Sequence, residues 1–300
     1  MAFKNAFKNL IAHFGTVWAV LLYITVFSAI IIGLSLPFIL PIANAFADAG
    51  VFTGISEAFS VLMSDGGWNG FWDCLYGVYD NVVSVFQNNS RVASLTMLFL
   101  IFIVSVAFRF FFGLYEIPLA TVIDGRMSCN AKYGLGGKFF STLPVSVIYS
   151  IAKMPIMIAF DAATYGVIYG LGQLIGLNLI LPFVVILVLV LFRSFRSGML
   201  ACWAPSVADG YGVLKGFARS AEIFFKRFAS IYSTYFVSWL LIIAAGLFFT
   251  IFTLGVGLII AVPFVMTGLG HLGMTEYYIK TGKRYYIDGT VITPPMENII

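Results

Sequence analysis

Residues 179–192 read LILPFVVILVLVLF, a stretch with no charge that is apolar on every side of any element it forms. A transmembrane β-strand alternates apolar and polar positions over about ten residues, and this stretch does not alternate. A helix crossing a bilayer needs roughly 20 apolar residues, because the hydrocarbon core is about 30 Å thick and a helix rises about 1.5 Å per residue. Working outward from 179–192, six stretches meet that need. They centre on residues 16–40, 93–115, 145–172, 177–199, 229–252 and 254–275.

The composition agrees. The 300 residues are 61% hydrophobic and only 10% charged, with a mean hydropathy of +0.99. Soluble domains carry about 25% charged residues, so a soluble enzyme, a secreted disulfide scaffold and a disordered chain are excluded. The expectation is an all-α polytopic transmembrane helix bundle, one membrane domain over 1–300, with both termini on one side. The start has a basic pair, Lys4 and Lys8, and Ala43-Asn44-Ala45 resembles a signal cleavage site. The first apolar run, however, exceeds the roughly 7–15 residues of a signal h-region, so the segment is expected to be retained as a span.

Orientation follows from where Lys and Arg flank the spans. With six crossings, 14 of the 17 basic residues fall on the side of the termini. These are Lys4 and Lys8; Arg126, Lys132 and Lys138; Arg193, Arg196, Lys215, Arg219, Lys226 and Arg227; and Lys280, Lys283 and Arg284. Arg91 lies opposite, with Asp48, Glu57, Asp65, Asp73 and Asp80. The termini are therefore expected in the cytoplasm of a bacterium, the protein in its plasma membrane. Of the three cysteines, only Cys74 is expected outside, with Cys129 and Cys202 across the bilayer, so no disulfide links the two sides.

Two amphipathic helices flank the spans. In residues 2–14, Phe3, Phe7, Leu10 and Phe14 recur at helical spacing with Lys4 and Lys8 off the stripe. In residues 211–228, Leu214, Phe217, Phe224, Phe225 and Phe228 form the apolar face, and Lys215, Arg219, Glu222 and Lys226 the polar one. Both are expected at the interface, with Lys4, Lys8, Lys215, Arg219, Lys226 and Arg227 near anionic headgroups. The external segment, 43–92, is acidic. It places Trp72, Tyr76, Tyr79, Val83 and Phe86 on one helical face after an Asp65-Gly66-Gly67 turn, which predicts a small helical cap. A weak repeat pairs Pro118, Asp124-Gly125 and Phe139-Phe140 with Pro205, Asp209-Gly210 and Phe224-Phe225. Near the end, β-forming residues around Thr281-Gly282 allow a small hairpin; equally, the last span runs on past Lys280.

Residues 203–220, WAPSVADGYGVLKGFARS, carry a resemblance. The string resembles the loop of a group of bacterial six-span proteins. That group includes YciC-type inner-membrane proteins and the membrane domain of glycerophosphoryl diester phosphodiesterases. In their pattern a span ends in Ala-Pro, an acidic residue stands near a Gly, and an amphipathic helix with a Ser leads to the next span. Ala204, Pro205, Asp209, Gly212, Arg219 and Ser220 match it. The resemblance implies the six-span fold. With no catalytic domain after the last span, phosphodiesterase chemistry is not expected to carry over.

Charges inside spans are functional candidates by default. Arg109 either snorkels to the inner interface or pairs with Glu116, and Lys153 faces the same choice. Asp161 lies two turns deeper than Lys153, too short to snorkel, and is expected to face the bundle interior near Tyr165 or a partner on another helix. His271 and Glu276 alone do not make a metal site, which needs three or four ligands. No catalytic, metal or cofactor motif is present, and nothing points to nucleic acid. Gly166 and Gly170, continued by Gly172 and Gly176, allow close helix packing or an oligomer face, as do Gly268, Gly270 and Gly273. The favoured function is non-enzymatic, a structural, accessory or lipid-interacting envelope protein. The alternatives are a transporter or channel with a polar site at Asp161, and a membrane-embedded lipid enzyme.

Overall fold

A computed structural model of the chain describes residues 2–64, 67–131, 133–175, 181–253, 255–287, 289–296 and 299–300. Asp65, Gly66, Lys132 and Gly176, named above, lie outside the described residues. Among the described residues the regular structure is helical, apart from one strand pair near the end of the chain. The helices are α1 (Ala2–Ala12), α2 (Gly15–Asp48), α3 (Val51–Met63), α4 (Gly67–Asn88), α5 (Ser90–Leu98), α6 (Phe108–Leu114) and α7 (Glu116–Cys129). They continue with α8 (Leu135–Ile175), α9 (Leu181–Leu200), α10 (Trp203–Ala208), α11 (Val213–Lys226), α12 (Phe228–Thr253) and α13 (Leu258–Thr281). A π-helical segment, Phe99–Ala107, joins α5 to α6.

Among the described residues, six helical runs are long and apolar enough to cross a bilayer: Gly15–Asp48, Ser90–Cys129, Leu135–Leu174, Phe183–Ala208, Phe228–Thr250 and Leu258–Thr281. Only 17% to 39% of each run's most apolar window is buried inside the protein. Most of the apolar surface therefore faces outward, where only a lipid surrounding satisfies it. The protein is an integral membrane protein by this criterion. Pro37, Pro41, Pro144, Pro155 and Pro263 all lie within spans, as membrane helices tolerate.

The contacts form two compact units, one comprising residues 1–26 and 110–300, the other 27–109. In the smaller unit α3 and α4 pack antiparallel. A Cβ on Gly54 would fall 2.7 Å from Val78, and one on Gly70 would fall 2.9 Å from Val61, so both glycines set the close approach. Trp72, Tyr76 and Tyr79 are exposed, whereas Val83 and Phe86 are half-buried. The aromatic stripe is thus an outer surface of this unit.

In the larger unit the core is concentrated at the end that carries both chain termini. Trp203, Tyr149, Tyr235, Tyr277, Tyr278 and Tyr285 are all fully buried there. Every residue of α13 from His271 to Lys280 is buried. Along α8 the pattern is inverted relative to a soluble helix. Beyond Leu135 its buried positions are Ser146, Tyr149, Ser150, Asp161 and Thr164, while Ile148, Ile151 and Tyr169 are exposed. In lipid this is the favourable arrangement, because an apolar side chain loses nothing outside and a polar one needs a partner inside.

Three sequence expectations meet the structure here: α11 gains a packing face, the last span runs on past Lys280 as one of the two alternatives had it, and the role of Gly166 and Gly170 changes. First, α11 buries Gly216, Ser220, Ile223 and Phe224 and leaves Leu214 and Phe225 exposed. The small residues fit against α10, where a Cβ on Gly216 would already touch Val207 at 3.0 Å. Second, α13 runs on to Thr281 and is capped by Gly282 in the left-handed region, φ +71°. The strand pair follows it, β1 (Tyr285–Ile287) antiparallel to β2 (Thr290–Ile292), with Gly289 at φ +76° in the turn. Third, among the described residues a Cβ added to Gly166 or Gly170 would meet nothing within 4 Å, so these glycines do not pack against the described part of the bundle. Gly270 and Gly273 do, against Leu119 and Ala201.

Candidate functional site

The long helix α8 carries Lys153 and Asp161 eight residues apart, about 12 Å along its axis. Lys153 Nζ donates to both oxygens of Glu116 at 2.5 Å, and Tyr149 Oη donates to Glu116 Oε2 at 2.7 Å. Glu116 is the first residue of α7. The Tyr149 ring meets Trp203 edge-on at 4.8 Å. Arg109 belongs to the other unit, where it donates to the Ser105 carbonyl at 2.8 Å, next to the π-helical segment.

Asp161 Oδ1 accepts from Arg196 Nη1 at 2.6 Å, and Arg193 Nη2 stands 3.7 Å away. Arg193 and Arg196 are one turn apart on α9, so both guanidinium groups reach the same face. By position in sequence they count as flanking cations; the structure turns them back to a carboxylate on the neighbouring helix. Tyr165, the other expected neighbour, is exposed. From Asp161 to the end of α8 is about 21 Å, and from the start of α9 to Arg196 about 22 Å.

A second layer ties α13 to α7 and α10. Tyr278 Oη donates to Asp124 Oδ1 at 2.7 Å, and Tyr277 Oη donates to Asp209 Oδ2 at 2.6 Å. Lys283 also binds Asp209. The two Asp-Gly steps of the sequence repeat thus hold two consecutive tyrosines. The two Phe pairs behave alike as well. Phe139 packs on Tyr23 and Phe224 is fully buried, while Phe140 and Phe225 are exposed. In the 203–220 string, Trp203 Nε1 donates to the Val213 carbonyl at 2.7 Å. The Ser220 hydroxyl donates to the Met199 carbonyl at 2.7 Å and accepts from Cys202 N at 3.1 Å. These residues fold the α9–α10–α11 bend.

Further along α13, His271, Thr275, Glu276 and Lys280 are buried. Lys280 Nζ lies 4.0 Å from Glu276 and 3.3 Å from Ser230 Oγ. Among the described residues, neither His271 ring nitrogen has a hydrogen-bond partner. No group of three or more His, Cys, Asp or Glu side chains that could hold a metal occurs among the described residues.

The surface cations divide. Lys4, Lys8 and Lys215 are exposed. Arg219 and Lys226 share Glu222, at 2.9 Å and 2.8 Å; the hydrogen bonds from Lys226 and then Arg219 hold its carboxyl below the ordinary range. Arg227 donates to the Ile299 carbonyl at 3.0 Å. Burial pushes the Tyr285 phenol up, partly offset by the hydrogen bond from Asn5. Within the candidate spans, Glu116 with Lys153 and Asp161 with Arg196 and Arg193 form ion pairs between helices, whereas Arg109 donates to a backbone carbonyl of its own helical run. Comparison with protein-family models, with curated proteins and with solved structures finds no match.

Proposed function

We propose that this is a non-enzymatic, lipid-interacting membrane protein of the bacterial envelope, with its termini and basic face in the cytoplasm, of the six-span kind that the 203–220 string resembles. One observation supports this most. The charges within the candidate spans of the larger unit engage each other, Glu116 with Lys153 and Asp161 with Arg196 and Arg193, which gives them a bundle-fixing role. A transporter needs water-reachable polar groups, and a lipid enzyme needs convergent ones; Asp161 faces a guanidinium, and Glu116 faces a lysine and a tyrosine. Gly166 and Gly170, open to the surroundings, are left for an oligomer contact.

Anionic-lipid attraction is worth about 1 kcal/mol per cation near the surface. The triple variant Lys4→Glu, Lys8→Glu, Lys215→Glu in mixed nanodiscs is expected to lose the salt-sensitive enrichment of phosphatidylglycerol over phosphatidylcholine around the protein. Unchanged enrichment would sink the lipid reading. Orientation has its own measurement. Cys74 is expected to react with an impermeant thiol reagent in intact cells, and Cys129 only after permeabilisation, with buried Cys202 silent in both. The opposite labelling would reverse the topology.

A further inference from the structure

We propose that the junction of α1, α7 and α13 binds one small inorganic anion of chloride size, held by Asn9, Arg126 and His271. The site is made of hydrogen-bond donors that the fold buries and leaves unused. The helix α13 packs against both α1 and α7. Among the described residues, Asn9 Nδ2, Arg126 Nε and both His271 ring nitrogens are shielded from solvent and have no hydrogen-bond partner. Asn9 is 1% exposed and His271 0%. A buried donor without an acceptor is costly, and more so when it is charged. Neighbouring groups fix these donors in place. His13 Nδ1 donates to the Asn9 carbonyl at 3.0 Å and to Asn9 Oδ1 at 2.8 Å, so the amide turns its nitrogen away from His13. Arg126 Nη1 donates to the Thr16 hydroxyl near the start of α2. The charges of His13 and Arg126 act on the His271 ring, which brings α1, α7 and α13 to one locality.

The number of donors and the charge select the ligand. Asn9 Nδ2 brings two N–H bonds, Arg126 Nε one, and a neutral His271 ring one, against a single acceptor nitrogen on that ring. A water oxygen has two lone pairs and cannot accept from all of them. Among the described residues, no carboxylate meets the Arg126 guanidinium. The acidic groups on the packed helices are engaged elsewhere: Glu116 with Lys153, Asp124 with Tyr278, and Glu276 with Lys280. Glu276 is also five residues, about 140°, round the helix from His271. The helix α1 contains no acidic residue. A partly desolvated cation beside surplus donors is satisfied by an anion. Because Asn9 and His271 are closed off from the surface, a bare ion fits and a phospholipid headgroup with its chains attached does not. The inference is independent of the lipid reading above, which rests on exposed cations.

Thermal unfolding of the full chain in detergent micelles, in sodium chloride against sodium gluconate of equal ionic strength, tests it. A ligand that binds the folded state stabilises it by RT ln(1 + [L]/Kd). At about fifteen times Kd the wild type is expected to melt roughly 3 °C higher in chloride, with a saturating dependence on concentration. Arg126→Gln is expected to lose this shift, and Arg219→Gln, at a surface cation, to keep it. A wild type indifferent to chloride, or an equal shift in Arg126→Gln, would overturn the proposal. A shift in sodium phosphate with none in chloride would assign the site to an oxyanion and also overturn it. Should Arg126→Gln not fold, wild-type crystals grown in sodium bromide supply the second measurement. An anomalous bromide peak is expected in contact with Arg126 Nε, Asn9 Nδ2 and a His271 nitrogen. Peaks confined to other places, or a water at this one, would refute the site. Neither outcome bears on the enrichment of phosphatidylglycerol around the protein, so the two readings fail separately.

Discussion

Lys153→Met is expected to destabilise the protein by about 3 kcal/mol, the lower end of the cost of removing one partner of a buried ion pair. The lower end applies because Glu116 keeps 24% of its side-chain surface exposed and Lys153 keeps 13%. The variant leaves the Glu116 carboxylate with the Tyr149 hydroxyl in place of a cation. The loss comes mainly from that stranded charge, not from the worth of the pair itself. Adding Glu116→Leu is therefore expected to recover most of the loss, since apolar replacement of a whole buried pair is often neutral. Denaturant titration in mixed micelles reads both values. A double variant as unstable as the single one would show that Glu116 does more than balance Lys153.

Gly273→Val is expected to cost about 3 kcal/mol, the upper range for overpacking. A Cβ at this position would stand 2.5 Å from the Ala201 carbonyl oxygen. That atom is backbone at the end of α9, so it cannot rotate away as a side chain does. The same substitution at Gly166 or Gly170 is expected to change stability by less than about 0.5 kcal/mol, since nothing lies within 4 Å there. Equal losses at all three positions would contradict the division between packing and outward-facing glycines.

These glycines show where sequence reading works in a membrane chain and where it stops. The run at 179–192 announces a crossing because length and continuous apolarity are what a bilayer demands. Which side of that crossing meets protein is not written in its apolar residues, because lipid tails are as apolar as leucine. That is why only part of the hydrophobic stripe of α11 packs: Phe224 is buried and Phe217 meets Trp203, Leu214 and Phe225 are exposed, and the packing face also carries Gly216 and Ser220. The polar residues hold the missing information. On α8 the spacing of Ser146, Tyr149, Ser150, Asp161 and Thr164 marks the interior side, and the three-residue step from Arg193 to Arg196 near the end of an apolar run points to a shared target. Their partner, Asp161, is 35 residues from Arg196 in the chain, and only the antiparallel meeting of α8 and α9 joins them. The Asp124-Gly125 and Asp209-Gly210 steps are legible as a repeat, but their tyrosine partners lie in α13, 154 and 68 residues further on.

The central claim is that charges within the spans tie the protein to itself. A double-mutant cycle on Asp161→Leu and Arg196→Leu tests it most directly, with unfolding free energies measured in mixed micelles. The account predicts that each single variant is destabilised and that the double variant loses less than the sum, a coupling of at least about 1 kcal/mol. Additive losses within about 0.5 kcal/mol, or an Asp161→Leu protein as stable as the wild type, would contradict it.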